Sequence, residues 1–160
     1  FTFLVFILSF FVPLFRKWQF PALVLTLIMI IGPGLIINVG FKDHWGRPRP
    51  RQIEEFGGKQ PFRPFYSPQF SAPEPSKSFP CGHCAMGFFF LAPAYLCYKK
   101  RKIAWMAAWI GIALLLGGFL SWGRIAQGGH FLSDILFSTL IVWITTWICY
   151  KVVSSYVTVD

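Results

Sequence analysis

Four stretches of this chain are apolar over lengths that a water-soluble fold does not keep in one piece. Pro21 to Phe41, Cys81 to Tyr98, Ile103 to Leu120 and Phe131 to Tyr150 each approach the ~20 residues with which an α-helix crosses bilayer hydrocarbon. Backbone polar groups in hydrocarbon have no water to bond, so these blocks are read as helices. Phe1 to Leu14 is apolar but shorter and reads as the end of a helix whose beginning is missing. The predicted fold is all-α, a polytopic membrane helix bundle of about five spans, forming one domain over residues 1–160. Composition agrees: of 160 residues, 55% are hydrophobic and 13% charged, far from the balance of an ordinary soluble domain.

The net charge of +9 would suggest nucleic acid in a soluble protein. Here the basic residues lie between apolar spans, with no solvated basic face to lay on a polyanion, so membrane lipids and a phosphorylated lipid are the expected partners, and nucleic acid is not. Dense basic turns at Arg16-Lys17, Lys99 to Lys102 and Lys151 mark one side of the membrane as cytoplasmic. The other side receives Lys42 to Pro80 and a short connection, Ser121 to Gly129. Lys42 to Pro80 holds eight of the twelve prolines, seven basic and four acidic residues, and no helical period. It is expected to be an ordered extracytoplasmic loop or partly helical cap. Four cysteines, Cys81, Cys84, Cys97 and Cys149, are too few and too unevenly spaced for a disulfide-stapled secreted module. The chain opens on Phe1 with no basic region before its first apolar run, so it reads as a fragment and not as a chain led by a signal peptide.

Three polar segments reach the non-cytoplasmic side: Lys42 to Pro50, Phe79 to His83, and Gly123 to Asp134. His130 and Asp134, four apart at a helix start, share a face, so the carboxylate can orient the imidazole. A structural histidine beside an aspartate favoured by the helix dipole has the same spacing. His83 follows Pro80 and Gly82 at a helix start, where free N–H groups attract anions; alternatively it faces headgroups. Lys42, Arg47, Arg49 and Arg124 supply cationic donors suited to phosphate, or side chains that snorkel.

Taken together, Lys-x6-Arg-Pro, Pro-x-Gly-His and Arg-x5-His-x3-Asp occur in that order, and over nearly its whole length the chain resembles the type 2 phosphatidic acid phosphatase superfamily. The resemblance implies a six-helix core with one early helix missing. It implies that Lys42, Arg49 and Arg124 hold the phosphate, with backbone groups of Cys81 and Gly82 beside it. His130 attacks phosphorus to form a phosphohistidine, Asp134 orients His130, and His83 protonates the leaving oxygen before water releases phosphate. Neither a metal nor any other cofactor is called for. The expected location is a bacterial cytoplasmic (inner) membrane, with the site on the extracytoplasmic face. Arg47 lies outside the matched positions, and His44 has no role. Two residues depart from the family pattern: Cys81 stands where a phosphate-binding serine is usual, and a thiol donates weakly; Gly123 also replaces a common serine.

Other chemistries compete. Cys81-Gly82-His83-Cys84 spells the dithiol motif of disulfide isomerases, and although the βαβ setting of those enzymes is lacking, a membrane thiol oxidoreductase stays open. A cysteine phosphatase needs arginine six residues beyond its cysteine, where Gly87 and Phe90 stand. Zinc on Cys81, His83 and Cys84 lacks a second ligand pair. A lipid phosphotransferase would use the same residues as the phosphatase, and a noncatalytic scaffold would have no need of them. Phosphatidic acid, phosphatidylglycerol phosphate, undecaprenyl diphosphate and lipid A phosphates are all handled by enzymes of the resembled kind. Phe56, Phe62, Phe65, Tyr66 and Phe70 suit either a lid or interfacial anchors.

Overall fold

Helix α1, Thr2–Phe11, ends where Val12 turns extended ahead of Pro13, and a 3-10 turn at Pro13–Trp18 carries Arg16 and Lys17 round into α2, Gln19–Met29. The computed structural model describes residues 1–71 and 76–156. Beyond α2 the chain keeps its course through Ile30–Lys42 in wider, π-type turns with Pro33 inside them, where the ring removes an N–H and crowds the preceding turn. The whole run Pro13–Lys42 is long and apolar enough to cross a membrane, as are α5, Ile103–Ala126, and α6, Leu132–Tyr156.

The stretch expected as one span over Cys81 to Tyr98 is two helices, α3 (Gly82–Phe88) and α4 (Leu91–Lys99). Pro93 explains the break: it cannot donate to the carbonyl one turn back, and the Ala92 N–H instead bonds Phe89 C=O at 2.9 Å, a tighter turn. The connection expected over Ser121 to Gly129 is shorter, because α5 continues through Ala126. Ser121 fits the helix by donating to Gly117 C=O at 2.6 Å. Gly128, with φ +59, then supplies the left-handed stop, as the Gly128 and Gly129 N–H groups close on Ile125 and Arg124 carbonyls.

Helix α6 is the axis on which α2, the Ile30–Lys42 run, α3 and α4 are assembled, while α5 packs on α3 and α4 and α1 on α2. Toward one end Val24 and Ile28 of α2 meet Ala92 and Leu96 of α4 and Cys149 and Val153 of α6. Midway, Ile37, Ala85 and Val142 pack together, and toward the other end Cys81, Cys84 and Ile135 do so. The buried hydroxyls of Ser138 and Thr146 donate to carbonyls one turn back at 2.7 and 2.8 Å, so α6 carries them at little cost in an apolar surround. Helix α3 approaches α5 through glycines: a Cβ on Gly87 would stand 2.7 Å from Gly117 Cα. Helix α5 otherwise shows a bare apolar face, with Leu115, Phe119 and Trp122 about three-quarters exposed. In a bilayer that face meets lipid tails.

The described part of the loop after Lys42 makes short 3-10 turns at Pro50–Gln52 and Glu54–Phe56 and, among the described residues, no strand. Trp45, Phe65 and Phe79 gather against Phe137 of α6, and Trp45 Nε1 donates to Phe65 C=O at 2.7 Å. Of the aromatics considered for a lid, Phe65 is thus part of the packing, whereas Phe56, Phe62, Tyr66 and Phe70 are exposed.

Candidate active site

Main-chain bonds fasten the three polar segments to one another. Arg51 N–H donates to Gly128 C=O at 3.1 Å, Ser78 N–H to Arg47 C=O at 2.9 Å, and Cys81 N–H to Asp134 C=O at 3.2 Å. The loop, the start of α3 and the α5–α6 turn are thereby one frame at one end of the bundle. The Cys81 N–H, expected to face phosphate, is spent on that frame.

Within it Lys42 sits over the start of α3, for a Cβ on Gly82 would lie 3.7 Å from Lys42 Nζ. The positive charges of Arg49 and Arg124 reach Lys42, and those of Arg124, Lys42 and Arg49 all reach His83, as does His130. Among the described residues none of Lys42, Arg49 and Arg124 is ion-paired to a carboxylate. Burial, together with the charges of Arg51 and Arg124, pushes the Arg49 guanidinium below its ordinary range, and its Nε is buried without a hydrogen-bond partner. Like charges gathered beside an unused donor suit an anionic ligand.

His130 is 5% exposed and stands over Asp134, its Nδ1 3.6 Å from Asp134 Oδ2. The carboxylate is fully buried and heavily bonded. Its Oδ2 accepts from Ser78 Oγ at 2.6 Å and from the Phe131 N–H at 2.9 Å, while Oδ1 is paired with Arg47. Arg47, itself 3% exposed, also donates to Ser133 Oγ at 2.8 Å and through Nε to Arg63 C=O at 2.9 Å. Its guanidinium carbon lies 4.2 Å from the centre of the Phe131 ring. His83 is exposed, at the mouth of the cluster.

Lys42, Arg49, His83, Arg124, His130 and Asp134 thus lie at the same end of the bundle. Cys81 differs, being buried and disulfide-bonded to Cys84, so in this state it has no thiol proton to offer. Sequence reasoning missed Ser78 altogether: one serine among prolines, two residues before Pro80, gives no periodic or motif signal. Asn38 was missed as well; its Oδ1 would stand 3.0 Å from a Cβ on Gly82, and its Nδ2 donates to Pro33 C=O at 2.7 Å. Among the described residues no three His, Cys, Asp or Glu side chains converge as a metal would require.

Fold and site define a class: a helical membrane bundle whose polar end sets two histidines and a buried carboxylate among clustered cations. Residues 21–157 match the family model of the PAP2 superfamily, and the chain belongs to it. The chain is 39% identical, over 145 residues, to the lipid A 4'-phosphatase of Francisella tularensis subsp. novicida (strain U112), covering 89% of this chain and 63% of that relative. It is 32% identical over 118 residues to the lipid A 4'-phosphatase of Rhizobium leguminosarum, covering 72% of this chain and 48% of the relative. A lipid A 4'-phosphatase of Rhizobium etli is 31% identical over a stretch of the same length, 44% of its own chain. The chain therefore spans less than two-thirds of the length of these relatives. No solved structure matches.

Proposed function

We propose that the protein is an integral membrane phosphatase that hydrolyses a phosphomonoester of lipid A through a phosphohistidine. The observation that carries this reading is the cluster of Lys42, Arg49 and Arg124, unpaired with any carboxylate among the described residues and acting, with His130, on His83. Phosphoryl transfer asks for charge neutralisation over the equatorial oxygens, an in-line nucleophile and an acid on the leaving oxygen. Three cations meet the first need without a metal. Because His130 Nδ1 faces Asp134, Nε2 is the atom free to attack. The new N–P bond forms as the P–O bond to the lipid breaks, and the leaving oxygen takes its proton from His83. His83 then accepts a proton from the water that attacks the phosphohistidine, and inorganic phosphate leaves. The lipid A choice rests on the names of the relatives.

Thiol–disulfide exchange finds less support, since it needs a sulfur that a partner thiolate can reach, and Cys81 and Cys84 are both 0% exposed. The dense positive turns at Lys17, Lys99 to Lys102 and Lys151 support reading the opposite end of the bundle as cytoplasmic, and with it the site as extracytoplasmic in a bacterial inner membrane.

The test is phosphate release by the full-length protein in detergent from lipid A, phosphatidic acid, phosphatidylglycerol phosphate and undecaprenyl diphosphate. Release from lipid A that is lost in His130→Ala, blocked by vanadate and indifferent to EDTA is expected. Loss of release in EDTA overturns the metal-free scheme, and release from another lipid but not lipid A overturns the substrate.

A further inference from the structure

Asp134 has no exposed atom and two oxygens with separate duties, and that division is imposed by a residue outside the phosphate cluster. A buried carboxylate persists only when paired and hydrogen-bonded. Oδ1 is taken by Arg47, which leaves Oδ2 to Ser78 and the Phe131 N–H, with His130 Nδ1 facing it at 3.6 Å and, among the described residues, bonded to nothing else. Arg47 cannot swing toward a phosphate while it does this, because Nε is on Arg63 C=O, Nη1 is shared with Ser133 and the plane lies over Phe131. Its role therefore differs from that of Arg49, two residues on, whose buried Nε has no partner.

We propose that Arg47 is a positioning residue of the phosphoryl-transfer reaction: it clamps Oδ1 of Asp134 so that Oδ2 alone meets His130 Nδ1 and holds Nε2 in line with phosphorus. The loop contributes to both jobs of the site with one short peptide, Arg47 turned inward to the carboxylate and Arg49 toward the anion. The assignment rests on the phosphatase reading above.

The experiment measures steady-state phosphate release from lipid A by the full-length protein and its Arg47→Met, Arg47→Lys and Arg49→Met variants, each with a vanadate inhibition curve. Arg47→Met is expected to lower kcat between about tenfold and a hundredfold, the scale on which slight misplacement of a reacting group acts. KM and vanadate inhibition should stay within about threefold, and the pH profile of kcat should move, because the charge beside the His130–Asp134 pair has gone. Arg49→Met should do the reverse, raising KM and weakening vanadate. Arg47→Lys keeps the charge without the Nε bond to Arg63; it should recover the pH profile and part of kcat. If Arg47→Met does not survive purification, Arg47→Lys carries the test through a reduced kcat at unchanged KM. An unchanged kcat in the Arg47 variants, or an effect confined to KM and vanadate, overturns the assignment while leaving the phosphatase standing. An unaltered protein that releases no phosphate from any lipid overturns the phosphatase itself, and the role of Arg47 with it.

Discussion

Cys81 is the residue at which sequence and structure differ most in chemical meaning. Read as a thiol it is a weak stand-in for serine; bonded to Cys84 it offers no proton, and its own N–H bonds Asp134 C=O. The side chain caps α3, since Cys84 N–H points at Cys81 Sγ at 3.2 Å, a task that serine performs well. Cys81→Ser should therefore fold, keep phosphate release and gain a hydroxyl beside Gly82; abolition of release by that change would speak for thiol chemistry instead. His130 and Asp134 were legible as a pair because four residues apart on a helix share a face, and Arg124, Lys42 and Arg49 through the motifs of the resembled family. Ser78 and the inward turn of Arg47 were not, because a hydrogen bond between residues 56 apart, or an ion pair between residues 87 apart, leaves no periodic trace.

At the scale of elements, the apolar blocks foretold the helices, and glycine and proline decided their ends. Reading Ser121 to Gly129 as a connection cut α5 short, yet Ser121 bonds its own helix and Gly123 has open space around it, and Gly128, with positive φ, stops the chain. Gly87 and Gly117 do a different job, letting α3 and α5 touch at backbone distance. A Cβ on Gly117 would come 2.6 Å from the Phe88 ring and one on Gly87 2.7 Å from Gly117 Cα. Gly87→Val should cost about 1–3 kcal/mol, the usual toll of overpacking. Gly111→Ala, with nothing within 4 Å of the added carbon, should cost nothing or gain slightly. Thermal aggregation midpoints of the detergent-solubilised variants check both, and equal midpoints would mean that α3 and α5 stand further apart.

The whole molecule is polarised along its helices. At one end Lys17, Lys100 and Lys102 border a single groove of about 760 Å³ with Trp18, Trp105 and Tyr150, and Lys99 Nζ lies 5.4 Å from the centre of the Tyr150 ring. At the other end lie the histidines and their cations. With the first end cytoplasmic, a cysteine placed at exposed Glu55 should react with a membrane-impermeant maleimide in intact cells. One placed at exposed Ser155 should react only after lysis, both in a background with Cys97 and Cys149 replaced by serine. The opposite labelling pattern would invert the orientation and put the site in the cytoplasm. Net charge alone could not have decided this, since the loop carries as many basic residues as the turns; their crowding at span ends carried the argument.

The bonds from Arg51, Ser78 and Cys81 to carbonyls of distant segments use main-chain atoms only. A scaffold written in peptide groups is blind to which side chains hang from it. A lineage can therefore exchange serine for cysteine at 81, drop the serine at 123, or redraw the exposed aromatics of the loop, and still inherit the same spacing between histidines and cations. Natural variation in such proteins should accordingly separate into two clocks: a slow one for the few side chains of the charged cluster and those that hold them, and a fast one for the exposed surface around it.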